Sequence, residues 1–565
     1  MFKIVAGIYL LVIIFTAQAL ADSGQISPTQ VGEGQITGNI LAHEKLVLNA
    51  AQNAEASERI YRTLQAVLKS ADPKSLMVAD FFMDNPPAKY RQWNFDRVSP
   101  HNFLADCYCY LVLAAYFFDQ PTYRGKVLEM LKSEQKFMSQ GKSIPGTFYI
   151  KTQKAEEPSL FGAAEYAKDG LISITEVKRD TPWYQRMEKM VADTMLAGKV
   201  KSKFGLLPSG DSELNGDLLQ VLPRLYWLSG DKRFREWGQR LAEAYLFEVF
   251  PANNYLPAHF WDFEKHLAVK NEARLRDHGN EAVVGLMLVY IMEWLEKSPK
   301  VAEYDPAIRR MFDNLLVSAV KDGMLYNVID PQTLKPKDQG IVDNWGYVYG
   351  AVYNYYLITG EEKYRDAVLR ALKSVVNYRN YKWEWGHYDG VADSVESAIY
   401  LVNREPQEKV FAWIDAEIKN IWQAQREDGH SDQSYLEGNF IRTSLLYAGL
   451  KSRGLFLKNW QPGAGVGAVE TDGEFKFYIQ VPAGQDRWIA EVRFDFVRHR
   501  EFFKLPKRFV RLNEFPEWYV VDAGVKYSLT DANGRSLIFS GKELIEGVKL
   551  EAGEWSVKAA QEISP

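Results

Sequence analysis

One pattern of apolar and polar positions recurs between about residues 103 and 454. Each copy has a polar or aromatic cluster, an apolar helical run, a short turn and a charged amphipathic helix. The turn at Gly230-Asp231 matches the turn at Gly360-Glu361, and a looser copy lies near Asp119. Glycine suits the left-handed residue that ends a helix, and an acidic residue suits the start of the next one. The pattern therefore predicts a series of helical hairpins.

The hairpins are expected to stack, because none of them can bury its apolar face alone. Their first helices are predicted to begin near His101, Phe161, Leu214, His278, Asn344, Asp393 and Gly438. The spacing exceeds the roughly 34 to 47 residues of ordinary helical repeats, so each unit carries an insertion. We predict a mainly α fold, an (α/α)6-type toroid of six or seven hairpins with an apolar inner ring and a charged outer ring. The inserted residues would form loops around one mouth.

The period changes to two residues after about position 459. Segments 475–481 and 488–496 alternate as strands do, and Asn533-Gly534 is typical of a hairpin turn. An antiparallel β-sandwich domain is predicted over 459–565. Two roles stay open for it: structural support of the toroid, or a separate sugar-binding module.

The first residues resemble a targeting segment. Lys3, the apolar run 4–15 and Ala19-Leu20-Ala21 predict a signal peptide over 1–21, with an uncleaved anchor as the alternative. A loose leader is expected over 22–40 and the toroidal catalytic domain over 41–458. These features predict a secreted or periplasmic protein without stable membrane insertion.

Composition narrows the choice of partners. With 565 residues, a net charge of −5 and a pI near 6.0, the chain shows no basic stripe for nucleic acid. Cys107 and Cys109 lie two apart on a predicted helix, which favours core packing over a disulfide. The eight histidines lack metal-ligand spacing, so neither a metal nor a cofactor is predicted. Aromatic residues, at 13%, either fill the core or stack on sugar faces. A homodimer is left open.

In a toroid, polar clusters at the starts of the inner helices converge at one mouth. The densest cluster is Arg276-Asp277-His278-Gly279-Asn280-Glu281. A helix cap would explain Asp277 or Asn280 alone. We interpret His278 and Glu281 as proton-transfer groups, Arg276 as a clamp for an anionic group, and Asn280 as a substrate ligand.

Three further clusters supply candidates. Asn344, Trp345 and Tyr347 follow Asp343, which suits either a helix cap or a binding rim. His387, Tyr388 and Asp389 precede Asp393 and Glu396, which form either an acid/base pair or a capping box. Arg442 either pairs with Glu437 or Asp393, or binds a substrate carboxylate. Lesser candidates are Asp211, Glu213, Asn215, Asp217, His101, Asn102, Asp106, and the insertion residues Asn254, Tyr255, His259, Phe260 and Trp261.

The predicted leader, toroid and β domain, together with three strings, resemble exported (α/α)-toroid carbohydrate enzymes of bacteria. The strings are Glu165–Leu171, Asp343–Gly346 and Asp393–Ala398. The chain is most similar to uronate-directed glycoside hydrolases such as glycoside hydrolase family 154. That resemblance implies an exo-acting β-glucuronidase whose substrate is an oligosaccharide or polysaccharide with a glucuronate terminus.

Three functions stay open from the sequence. A hydrolase would use one carboxylic acid and one carboxylate, with Glu281 and Asp389 as the predicted catalytic pair. A polysaccharide lyase acting by β-elimination would use His278 or Tyr388 as base, with Asn280 and Arg276 neutralising the uronate. A secreted glycan-binding protein would keep the aromatic residues without needing paired acids.

Overall fold

The computed structural model describes residues 33–80, 96–179, 181–318, 320–383, 388–431, 434–471 and 473–560. The chain divides into two compact units, Met1–Lys45 and Leu46–Pro565. The predicted signal peptide lies outside the described residues. Helix α1 begins at Glu33, inside the segment predicted as a loose leader. The predicted boundary near 459 falls within the second unit, where helices give way to strands.

Helices make up most of the described chain. They are α1 (Glu33–Ser70), α2 (Cys109–Phe117), α3 (Pro121–Phe137), α4 (Leu160–Glu165), α5 (Ile172–Val177), α6 (Pro182–Leu196), α7 (Ser212–Ser229), α8 (Lys232–Ala244), α9 (Phe250–Ala252), α10 (Asn280–Leu295), α11 (Lys300–Ser318), α12 (Trp345–Thr359), α13 (Glu362–Val375), α14 (Tyr388–Val402), α15 (Glu408–Trp422), α16 (Ser434–Ser452), α17 (Arg498–Glu501) and α18 (Gly541–Glu546). Wider π-helical turns are π1 (Pro100–Tyr108), π2 (Tyr166–Leu171) and π3 (Tyr245–Val249). Within the described residues, no helix has the length and apolarity needed to span a membrane.

The first helices of the hairpins contact one another in chain order, and the last returns to the first. The order is π1 with α2, then α4 with π2 and α5, then α7, α10, α12, α14, α16 and again π1. Within the described residues this makes seven inner helical stretches, consistent with a helical toroid; the prediction allowed six or seven and favoured the six-hairpin type. The second helices, such as α8 and α13, pack outside them and are amphipathic.

The predicted turns are confirmed in detail. Gly230 and Gly360 end α7 and α12 with φ of 75° and 74°, and each donates its N–H to a carbonyl of the last helical turn. Asp231 then caps α8 by accepting the N–H of Arg233. Cys107 and Cys109 are buried, as predicted, and the structure records both as thiols.

Short strands lie in the loops between the helices, and longer strands follow the last inner helix. The loop strands are β1 (Arg97–Val98), β2 (Phe148–Tyr149), β3 (Lys154–Ala155), β4 (Val200–Ser202), β5 (Gly205–Leu207), β6 (Trp261–Asp262), β7 (Leu267–Ala268), β8 (Ala273–Arg274), β9 (Val320–Lys321), β10 (Met324–Leu325), β11 (Val328–Asp330) and β12 (Lys335–Pro336). The C-terminal strands are β13 (Phe456–Leu457), β14 (Gly465–Thr471), β15 (Glu474–Gln480), β16 (Ile489–Arg493), β17 (Asp495–Phe496), β18 (Val520–Val521), β19 (Lys526–Asp531), β20 (Ser536–Ser540), β21 (Val548–Glu551) and β22 (Gly553–Ala559).

The C-terminal strands form small sheets. One antiparallel sheet has the order β14-β15-β22-β19-β20 and another the order β13-β16-β21, while β17 and β18 form a short parallel pair. The antiparallel pairing agrees with the sequence analysis. A face-to-face sandwich stays a prediction.

A segment between β17 and β18 packs against the C-terminal halves of the inner helices. Arg511 pairs with the buried Glu176 at 2.8 Å, and Arg224 donates to the carbonyl of Leu512. Asn513 reaches the carbonyl of Lys168 at 2.8 Å. The segment therefore covers the ends of the inner helices that lie away from their polar starts.

Strand β14 lies directly on helix α1. Asn49 and Asn53 of the helix exchange hydrogen bonds with the backbone of Ala468 and Val466. A Cβ built on Gly467 would lie 2.2 Å from the carbonyl oxygen of Leu46, so only glycine allows this approach.

Gly467→Ala should lower the free energy of unfolding by about 1–3 kcal/mol, because the strand must move off the helix. Gly125→Ala is the matched control, since a Cβ at Gly125 in α3 meets nothing within 4 Å. That change should raise stability by about 0.5–1 kcal/mol through helix propensity. Urea denaturation measures both, and an unaltered Gly467→Ala variant would contradict the packing described.

Candidate active site

A polar cleft opens at the starts of the inner helices, with a volume of about 290 Å³. The lining residues are His101, Asn102, Asp106, Phe161, Glu165, Lys168, Asp169, Glu213, Arg276, Asp277, Glu281, Tyr347, Asp389, Asp393, Asn439 and Arg442. They come from stretches more than 300 residues apart in sequence. The ring of helices thus brings the separate polar clusters to one opening.

Arg276 joins three of these stretches. Its Nε donates to both oxygens of Asp343 at 3.0 and 2.8 Å, and another guanidinium nitrogen lies 2.8 Å from Asp389. Asp277, 3.1 Å away, has a φ of 56°, a strained value for a residue other than glycine. The irregular turn 275–279 therefore holds the guanidinium against its carboxylates, leaving it engaged before any substrate binds.

Asp389 is held as an acceptor at the cleft. Arg276 binds one of its oxygens at 2.8 Å, and the side-chain amide of Asn439 donates to the other at 2.5 Å. The side chain keeps 18% of its surface exposed. Two donors fix the position of this carboxylate while leaving it partly accessible.

The environment of Asp106 favours the protonated form of its carboxyl group. Burial, and then the negative charges of Glu165 and Asp389, raise the pKa of this carboxyl to about 7, against the lowering effect of His101. The residue is half-buried on π1. A Cβ on Gly438 of α16 would overlap the carbonyl oxygen of Asp106, so this glycine allows the two helices to meet there. Asp106 is therefore placed to carry a proton near neutral pH.

Lys168 holds a second group of acids at the cleft wall. Its ammonium lies 2.9 Å from Asp169, 3.1 Å from Glu281 and 3.6 Å from Asp217. Glu281 also accepts hydrogen bonds from Gln220 at 2.5 Å and Asn280 at 3.2 Å. Burial raises the pKa of the Glu281 carboxyl although Lys168 opposes the change. The predicted catalytic Glu281 is thus buried and fully engaged.

Arg442 forms a third group. Its guanidinium lies 2.5 Å from Asp393 and 3.1 Å from Glu396, and the Tyr347 hydroxyl donates to Glu396 at 3.0 Å. Burial raises the pKa of the Asp393 carboxyl well above its usual range. Helix α14 begins at Tyr388, so Asp393 and Glu396 lie inside it and do not form the capping box considered from the sequence. Pairing with Asp393, one of the alternatives weighed for Arg442, is observed.

His101 and Glu165 form a pair at the wall. Nδ1 of His101 lies 3.1 Å from Glu165, which raises the pKa of the imidazole although burial opposes its charged form. Phe161 packs beside the imidazole with ring centres 5.8 Å apart. A flat aromatic surface next to polar groups is typical of sugar-binding clefts.

Beside the cleft, Asp211, Glu213 and His278 bring possible ligand atoms within 4.8 Å of one another. His278 Nδ1 lies 2.7 Å from Glu213, the distance of a direct contact, and its ring stacks on His259 at 3.7 Å. Burial and the neighbouring His259 lower the pKa of His278 to about 4, which keeps its imidazole neutral. His278 is not among the residues that line the cleft.

Other predicted site residues occupy supporting positions. Trp345 is fully buried and donates its indole N–H to Ser394 at 3.0 Å. Asn344 donates to Asp277 at 3.3 Å, and Tyr388 is half-buried at the start of α14. His387 lies outside the described residues.

Several lining residues were lesser candidates in the sequence, or were not candidates for the site. Asp106 and His101 were lesser candidates, and Glu165, Lys168 and Asp169 stood only in a string quoted for resemblance. Their signal was position: they occupy the starts of the first two predicted inner helices, the places where the other polar clusters were sought. Asn439 adjoins Gly438, another of the predicted helix starts.

No protein-family model matches the sequence, and no curated protein matches it either. Solved structures with a similar arrangement include a D-mannose isomerase, with 13% identity, a TM-score of 0.42 and coverage of 57% of this chain and 86% of that one. A cellobiose 2-epimerase from Bacillus thermoamylovorans has 12% identity, a TM-score of 0.40 and coverage of 58% and 87%. A glycoside hydrolase family 76 mannosidase from Bacteroides thetaiotaomicron has 11% identity, a TM-score of 0.38 and coverage of 70% and 99%. Similarity at this level does not identify a function.

Lys168→Met should destabilise the protein by about 3–5 kcal/mol near pH 8, because it leaves buried carboxylates without their cation. Losing the cation raises the pKa values of Asp169 and Glu281 in the folded state. Protonation therefore relieves the penalty, and the loss should shrink as the pH falls towards 5. Lys542→Met, at an exposed lysine 3.9 Å from Glu546, should change stability little at either pH. Denaturant titrations at both pH values measure the effect, and an equal loss at both would contradict it.

Proposed function

We propose that the protein is a glycoside hydrolase that binds carbohydrate in this cleft. Asp106 would act as the general acid and Asp389 as the carboxylate that activates water or attacks the sugar. The observation that carries the proposal is that two acids of one cleft differ in environment: Asp106 has a raised pKa, and Asp389 accepts hydrogen bonds from two donors. Cleavage of a glycosidic bond requires one carboxyl group that holds a proton and a second one that acts as a carboxylate.

The proposed roles follow from the contacts. The charge of Asp389 raises the pKa of Asp106, so one group holds a proton partly because the other is ionised. Arg276 and Asn439 keep Asp389 in place by donating hydrogen bonds to its two oxygens. Asn102, Asn439 and Phe161 add amide groups and an aromatic face suited to sugar hydroxyls and ring faces.

The charges of the cleft bear on the choice of sugar. Eight carboxylic acids line it, together with three cationic side chains, Lys168, Arg276 and Arg442, and with His101. All three cations already contact carboxylates. A neutral or amino sugar therefore suits the cleft better than the glucuronate expected from the sequence, since the cations that would bind an anion are already paired. Specificity for a glucuronate terminus stays a prediction.

The same contacts weaken the lyase alternative. Elimination needs a free cation or amide at the uronate carboxylate, whereas Arg276 is engaged by Asp343 and Asp389 and Asn280 donates to Glu281. Tyr388 is half-buried at the helix start and stays the group to test as a lyase base.

The function is tested by incubating the protein with neutral, amino-sugar and uronate oligosaccharides. Release of new reducing ends without the ultraviolet absorbance of an unsaturated uronate supports the hydrolase. An increase in that absorbance would show that the protein is a lyase and not a hydrolase. Binding detected by calorimetry without any product would leave a glycan-binding protein.

Asp106→Asn should lower kcat/KM by about 10²–10⁴ for a glycoside with a poor leaving group, because the proton donor is lost. The loss should be much smaller for an aryl glycoside whose leaving group needs no proton. Asp389→Asn should lower kcat/KM for both substrates. Asp428→Asn, at a side chain that is 52% exposed, is the matched control and should leave the rate unchanged.

The pH profile supplies an independent prediction. An acid with a pKa of about 7 must be protonated to act, so kcat/KM should fall as the pH rises through about 7. Asp106→Asn should remove this alkaline limb. A limb that survives in that variant would assign the titration to another group.

A further inference from the structure

A second cavity, of about 150 Å³, lies between the inner helices and the C-terminal strands. Its walls are mostly apolar, with Phe117, Leu445, Phe494 and Trp518 among them. It shares no lining residue with the polar cleft. Several rim residues, including Phe117 and Trp518, are partly exposed, so the cavity can be reached from solvent.

Two cations line this apolar cavity without an acidic partner. Within the described part of the chain, neither Lys178 nor Arg493 has an ion pair or a side-chain hydrogen bond. Each lies over an aromatic ring instead, Lys178 4.2 Å from the centre of Tyr116 and Arg493 5.2 Å from that of Phe456.

The acids of the cavity wall are already engaged. Asp495 pairs with Arg498 through both oxygens at 3.0 and 3.2 Å, and Asp119 lies 2.8 Å from Arg124. Burial lowers the pKa values of both Lys178 and Arg493, and the charge of Arg493 adds to the effect on Lys178, while Asp119, and for Arg493 also Asp495, oppose the change. The cavity therefore combines an apolar body with an excess of positive charge, since three cations and two acids line it.

We propose that this cavity binds a small monocarboxylate with an apolar body, of the size of a single ring. The carboxylate would lie between Lys178 and Arg493, where charge-assisted hydrogen bonds are available. The body would pack between Phe117 and Trp518. The volume matches the size class, because an apolar cavity of about 150 Å³ holds one benzene ring.

Benzoate and benzamide are the probes, since they share the ring and differ in charge. Calorimetry with the full chain should show saturable binding of one benzoate, and benzamide should bind at least about tenfold more weakly. The Lys178→Met/Arg493→Met double variant should lose at least about tenfold in benzoate affinity. Lys136→Met is the matched control, because that exposed lysine lies over the Phe137 ring at 4.8 Å and does not line the cavity.

Equal affinity for the two probes, or benzoate binding that survives in the double variant, would overturn the proposal. Should the double variant fail to fold, thermal melting of the unaltered protein decides instead. Benzoate should then raise the melting temperature and benzamide should not. A rise with both or with neither contradicts the proposed carboxylate site.

Discussion

The site depends on one constraint: more buried carboxyl groups meet at the mouth of the helical ring than there are cations to neutralise them. Lys168, Arg276 and Arg442 each contact two or more acids. Burying a carboxylate is costly even beside a cation, so burial raises the pKa values of Asp106, Glu281 and Asp393. The cleft therefore contains ionised and protonated carboxyl groups side by side, which is the condition for proton transfer.

The two ends of the inner helices have different surroundings. The polar starts of the inner helices face the cleft, whereas their C-terminal halves are covered by the segment that carries Arg511 and Asn513. Asn513 touches the backbone of Lys168 from that covered side. Packing of the C-terminal residues therefore supports the backbone of the lysine that contacts Asp169 and Glu281.

The sequence predicted the hairpins because their signals are local. A left-handed glycine at Gly230 or Gly360 and the apolar run before it lie within one short stretch. The pairing of Arg276 was not predictable in the same way, since its partners Asp343 and Asp389 lie 67 and 113 residues further along the chain. The packing of successive inner helices brings them together. The start of α14 was misplaced for a related reason: Asp393 and Glu396 look like a cap, but the helix already begins at Tyr388.

The comparison of Asp106 with Glu281 shows why position in the ring outweighs local acid density. Glu281 stands in the densest polar string of the sequence, yet Gln220, Asn280 and Lys168 use its oxygens and its surface is only 1% exposed. Asp106 stands in a mostly apolar string, which made it a lesser candidate. A proton donor must both hold a proton and reach the substrate. The half-buried Asp106, which lines the same cleft as Asp389, meets both requirements, whereas Glu281 meets at most the first.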